Sequence, residues 1–190
     1  MVIFVLGLVL FLGTHSVRML APEWRDKQLE NLGKRSWQGI YSVISLTSLA
    51  ILIYGYALAQ PEAPIIYITP VWTRHLAFLL MAIAFISLMA GNLPPGRLKP
   101  ALKHPMLMAV MIWAFAHLTV NGDLASIVLF GSILAWSIWN RISVSHRVEA
   151  LPQPGPVTYD MAAIVLGLAI WVLFIWKLHE WLIGVPLVIA

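Results

Sequence analysis

The segment Val2–Leu20, VIFVLGLVLFLGTHSVRML, decides the fold. It runs 19 residues and carries no charge before Arg18. A helix needs about 20 mostly apolar residues to cross a bilayer, and this stretch has both the length and the composition. An apolar start can also be a cleaved signal peptide. Such a peptide opens on a basic region and ends at a small-residue cleavage pattern. Neither is present here, so Val2–Leu20 is expected to stay as a first membrane span.

Five more apolar stretches follow, at roughly 38–59, 71–91, 105–121, 124–141 and 160–183. The 190 residues are 61% hydrophobic and 11% charged, with a mean hydropathy of +0.86. A soluble domain carries about 25% charged residues. The expected fold is therefore all-α: a polytopic membrane helix bundle with six transmembrane helices, forming a single integral membrane domain over residues 1–190. Disorder, a coiled coil and a nucleic-acid-binding globule are excluded, and the partner is a lipid bilayer. With no cysteine, thiolate ligands, disulfides and iron–sulfur clusters drop out.

Local punctuation sets the boundaries. Thr69-Pro70 reads as N-cap and first helical residue of the third span, and His104-Pro105 does the same for the fourth. Asn121-Gly122 is a turn dipeptide, with Asp123 placed to cap the fifth span. The connector from Leu151 to Pro156 cannot continue a helix, and Gly184 and Pro186 close the sixth span.

Charge then gives direction. Arg18, Arg25, Lys27, Lys34 and Arg35 follow the first span, Arg97, Lys99 and Lys103 the third, and Arg141 and Arg147 the fifth. Arg74 and Lys177 alone fall on the other side. Basic connectors face the cytoplasm, so both termini are expected in the periplasm of a bacterial inner membrane.

Polar groups among membrane helices are costly and often mark function, which turns attention to histidine. His146 reads as solvated and His179 as interfacial. The topology puts His15 and His104 at the cytoplasmic ends of spans one and four, and His75 and His117 near the outer face. His104 and His117 are 13 residues apart on one span, about 20 Å along a helix, so a two-histidine site must draw on different helices. Neutral imidazole ligates haem iron and zinc. The start of a helix, where His104 lies, disfavours imidazolium. Arg18, three residues after His15, suits an anionic group such as a haem propionate. His15 and His104 are thus the first-choice metal pair, and His75 with His117 the second. The plain alternative is that His15 bonds a neighbouring helix, that His104 caps its own, and that Arg74 and Asp123 pair at the outer interface. Trp113, Trp136 and Trp139 fit either an apolar cofactor wall or ordinary packing. The chain has no P-loop, no GxSxG elbow and no HExxH.

Several of these residues fall in motifs in a fixed order: Thr14-His15-Ser16 with Arg18; Leu32-Gly33-Lys34-Arg35 leading into Gly39-Ile40-Tyr41-Ser42; Trp72 with Arg74-His75-Leu76; His104-Pro105, then Trp113-Ala114-Phe115-Ala116-His117 and Asn121-Gly122-Asp123. In this series the sequence resembles the NnrU family of bacterial membrane proteins. The resemblance implies a setting in nitrite and nitric oxide metabolism, that is, denitrification. Zeta-carotene isomerase of plants and cyanobacteria is similar in turn. It holds a haem b through membrane histidines, and the carry-over falls on His15 and on His104. The resemblance thus implies haem b at these two residues, with redox or isomerase chemistry on a hydrophobic small molecule. It leaves open a monomer or a homodimer. Two other readings stand beside it. One is a cofactor-free membrane assembly or regulatory protein. The other is an S-adenosylmethionine-dependent membrane methyltransferase, whose Arg-His-Pro motif Lys103-His104-Pro105 resembles and whose acidic residue would be Glu149.

Overall fold

A computed structural model describes residues 1–146 and 152–187. Among these residues the regular structure is helical, and no strand forms. In chain order the helices are α1 (Val2–Leu20), α2 (Pro22–Leu32), α3 (Lys34–Ala59), α4 (Trp72–Asn92), α5 (Leu98–Leu102), α6 (Pro105–Leu118), α7 (Leu124–Ser145), α8 (Val157–Leu173) and α9 (His179–Ile183). Five helical segments are long and apolar enough to cross a membrane: α1, α3, α4, α7 and the run from α8 through a π turn at Phe174–Leu178 into α9. The expected fourth span differs. It forms α6, which has 14 residues and ends at Leu118. At 1.5 Å per residue that is about 21 Å, short of the roughly 30 Å of a hydrocarbon core.

The chain divides into two compact units, each made from two stretches of sequence. Met1–Ile68 with Asn121–Val144 forms the first, built on α1, α3 and α7. Thr69–Val120 with the residues from Ser145 onward forms the second, built on α4, α6 and α8.

Glycine sets the tightest helix contacts. In the first unit a Cβ on Gly7 would lie 2.5 Å from the Leu52 amide nitrogen, and one on Gly55 would lie 2.5 Å from Phe4 Cα. The start of α1 thus meets the end of α3, and the two run antiparallel with backbones in contact. In the second unit a Cβ on Gly167 of α8 would come within 2.7 Å of Ile86 Cα on α4. Lipid tails are as apolar as leucine, so membrane helices associate through close packing, and small residues permit it.

Most punctuation behaves as the sequence suggests. Pro105 opens α6 behind His104, and Gly184 ends α9 in the left-handed conformation, φ 82°. Two places differ. Helix α4 starts at Trp72 rather than Pro70, because the Pro70 carbonyl already accepts from the Thr73 amide at 3.1 Å and the Thr73 hydroxyl at 2.6 Å in a preceding turn. The basic connector after α1 is itself helical. Pro22 occupies the first turn of α2 and Gly33 (φ 77°) ends it. None of the α2 residues is buried, and its Trp24 meets Trp37 of α3 edge-on, ring centroids 5.7 Å apart. Leu151 and Arg147 lie outside the described residues.

Gly55→Leu is expected to destabilise the protein by at least the roughly 1–3 kcal/mol typical of overpacking, since the new side chain meets backbone. Gly39 has open space around it, so Gly39→Ala should stabilise by up to about 1 kcal/mol through helix propensity. Thermal unfolding of both variants in one detergent checks the pair.

Candidate functional site

Three consecutive polar residues near the end of α1 are each tied to the carbonyl one turn back. The Thr14 hydroxyl donates to Leu10 O, His15 Nδ1 to Phe11 O and the Ser16 hydroxyl to Leu12 O, each at 2.7 Å. A carbonyl can only accept, so Nδ1 of His15 carries the proton. In the neutral ring the lone pair then sits on Nε2, which makes no hydrogen bond among the described residues. Aromatic rings surround this imidazole: Phe11 at 4.3 Å, Tyr41 of α3 at 5.8 Å and Trp136 of α7 at 6.1 Å, the last two edge-on. The Trp136 indole donates to the Ser16 hydroxyl at 3.0 Å, fixing that wall. A histidine with one nitrogen bonded to a carbonyl and the other presented is oriented as metal-ligating histidines are. Arg18 follows one turn later and is exposed.

At the other end of this unit lies a buried polar chain that the sequence did not reveal. The Tyr56 hydroxyl is 2.7 Å from Ser126 Oγ, and Ser126 donates to Asp123 Oδ2 at 2.6 Å. The Ser126 amide donates to Asp123 Oδ1 at 2.9 Å. Asp123 therefore caps α7 as expected. Its carboxylate is satisfied by the Ser126 amide and hydroxyl, and Arg74, the partner expected from the sequence, is exposed in the first turn of α4. The Gly122 carbonyl accepts from the Ile66 and Tyr67 amides at 2.8 and 3.2 Å, and the Tyr67 hydroxyl donates to Asn121 O at 2.9 Å. Burial, and then the nearby Asp123 charge, raise the Tyr67 phenol above its ordinary value. Asp123 and Ser126 stand three apart at a helix start, a capping signal visible in the sequence; Tyr56 had no such mark.

The second unit holds His104, His75 and His117. His104 is half-buried, at the N-cap of α6, and Ser87 of α4 donates to the Pro105 carbonyl behind it at 2.8 Å. His75 is exposed in the first turn of α4. His117, in the last turn of α6, donates from Nδ1 to Trp113 O at 2.8 Å and lies within electrostatic reach of His179. His179 in turn donates from Nδ1 to Val185 O at 2.8 Å. His146 is exposed, and Glu149 lies outside the described residues. Sequence reasoning missed Asp160 of α8. It is buried, and it accepts from the Arg97 and Leu98 amides at 2.8 and 3.0 Å.

No group of three or more His, Asp or Glu residues that could hold a bare ion occurs among the described residues. Haem iron asks less of the protein, because the macrocycle supplies four ligands and histidine the axial ones.

Long apolar helices, polar groups satisfied on the backbone and a few oriented histidines define a polytopic helical membrane protein. The chain belongs to the NnrU family: that family, described as NnrU protein, matches residues 3–187. No curated protein matches the chain, and no solved structure does.

Asp123→Ala is expected to cost about 1–3 kcal/mol, from the lost cap and the stranded Ser126 hydroxyl, read by chemical denaturation. A raised Tyr67 pKa favours the neutral phenol in the fold, so its contribution is complete below the ordinary tyrosine range and disappears as pH climbs through the raised value. From about pH 9 to about pH 11, the melting temperature of Tyr67→Phe should therefore fall less than that of the parent.

Proposed function

We propose that this NnrU-family protein binds haem b through histidine, with His15 and His104 as the candidate ligands, and that it acts in nitrite and nitric oxide metabolism. The observation that carries the reading is the His15 imidazole, whose Nδ1–H is fixed on Phe11 O at 2.7 Å and whose Nε2 is left for a ligand among aromatic rings. Such a wall is what a flat apolar macrocycle needs. The distribution of basic residues supports a bacterial inner-membrane placement with both termini in the periplasm, which sets His15, Arg18 and His104 toward the cytoplasm.

Each residue has a definite task. Phe11 O holds the tautomer and ring orientation of His15. Trp136, anchored on Ser16, keeps water from the imidazole. Arg18 supplies a cation for a propionate. His104 sits at the N-cap of α6, beside the positive end of that helix's dipole. Haem b held by such histidines would supply one-electron redox chemistry and binding of a small ligand.

Protein purified from cells supplied with haem precursor is expected to show a Soret band. His15→Ala and His104→Ala should each weaken or shift it, whereas His146→Ala, His75→Ala and His117→Ala should leave it in place. A protein that stays colourless after reconstitution with haemin overturns the proposal and favours a cofactor-free assembly or regulatory role.

A further inference from the structure

Lys103, directly before His104, is the single non-glycine residue with positive φ among the described residues, at φ 62° and ψ −54°. The His104 amide donates back to the Leu102 carbonyl at 2.7 Å. A bond from residue i to i+2 around such a centre is the rare, strained form of the γ-turn. Its cause is visible in the chain. Helix α5 ends at Leu102 and Pro105 opens α6. The proline ring disfavours helical backbone at His104, which is instead at φ −130° and ψ 68°. The reversal therefore falls on Lys103, a residue whose Cβ resists it.

A strained turn persists only where its surroundings over-determine it, and this one is held from several sides. The buried Asp160 carboxylate grips the Arg97 and Leu98 amides at the start of α5. Gly96 packs so close to Asp160 that a Cβ there would collide with the carboxylate. The Gly155 amide donates to Gly96 O at 3.1 Å. Lys99 Nζ donates to Gly91 O and Leu93 O, both at 2.8 Å, pinning α5 to the end of α4. On the far side Ser87 holds Pro105.

We propose that Lys103 and Asp160 are positioning residues for His104: the Asp160 clamp forces Lys103 into its strained turn, and the turn fixes the backbone from which the imidazole projects. The proposal rests on the reading of His104 as a ligand, but the clamp itself can be tested without haem.

The test uses the full chain in detergent, with histidine labelled by ¹³C and the His104 signal assigned from His104→Ala. Lys103→Gly adopts the same turn without strain and frees the backbone. It is expected to keep or raise the melting temperature while the order of the His104 ring falls. Asp160→Asn is expected to speed hydrogen exchange at Arg97 and Leu98 and to loosen His104 in the same way. Haemin titration of both variants should show affinity about tenfold weaker, the scale of losing a supporting partner. Lys103→Ala keeps the constraint on φ and should leave His104 ordered. A merely structural turn would tie ring order to stability. His104 order unchanged in both Lys103→Gly and Asp160→Asn, or a lower melting temperature in Lys103→Gly, overturns the proposal. If the parent protein takes up no haem, the haem reading fails by itself, and ring order still decides the clamp.

Discussion

The hydrocarbon core offers no water to a polar group, so every hydrogen-bonding atom placed there needs a partner within the protein. Few side chains in this molecule escape that rule. Thr14, His15 and Ser16 stand in succession on α1, and each donates a hydrogen bond to the carbonyl four residues earlier. Serine, threonine and histidine are thereby made tolerable in an apolar helix. The same bonds also settle chemistry. With the Nδ1–H of His15 donated in a hydrogen bond to the Phe11 carbonyl, the ring has one nitrogen left to offer, and its direction is fixed by the helix. Trp171 shows the opposite situation: its indole nitrogen, just ahead of the π turn, is buried without a hydrogen-bond partner among the described residues.

Close backbone approach has a different origin from polar satisfaction and is met by different residues. Gly7 and Gly55 let α1 and α3 touch, and Gly167 does so for α8 on α4. Neither contact involves a histidine. The scaffold and the candidate site are therefore separable: packing of each unit depends on glycines, and ligand presentation on a few hydrogen bonds.

Long apolar runs are legible because a bilayer imposes a length on them, and α1 runs over Val2–Leu20 as the sequence suggests. Helix α2 was not legible. It is short and polar, and it buries nothing, so no apolar stripe marks it. The extent of α6 was misjudged for a related reason. Apolar composition continues through Val120, but the amides of Thr119 and Val120 turn back onto Ala116 and His117 at 3.2 Å and end the helix. At the candidate site, residue types could be chosen from the sequence but partners could not. His15 stood out as a histidine in a span, whereas its tautomer depends on the Phe11 carbonyl. Asp160 looked like the edge of the last span, because its partners Arg97 and Leu98 are more than sixty residues away.

The turn before His104 shows how local rules in conflict can concentrate strain on one residue. Pro105 at a helix start and a helix ending just upstream are each ordinary choices. Together they leave one residue for the reversal, and glycine would satisfy it at no steric cost. The chain has lysine there, exposed and at φ 62°. A glycine would widen the conformations open to its neighbour, whereas a side chain narrows them. Asp160, Lys99 and Ser87 supply the contacts that sustain the strain. His75, exposed at the start of α4, carries no comparable framework. Between histidines of the same chemistry, it is the investment of surrounding backbone that sets His104 apart.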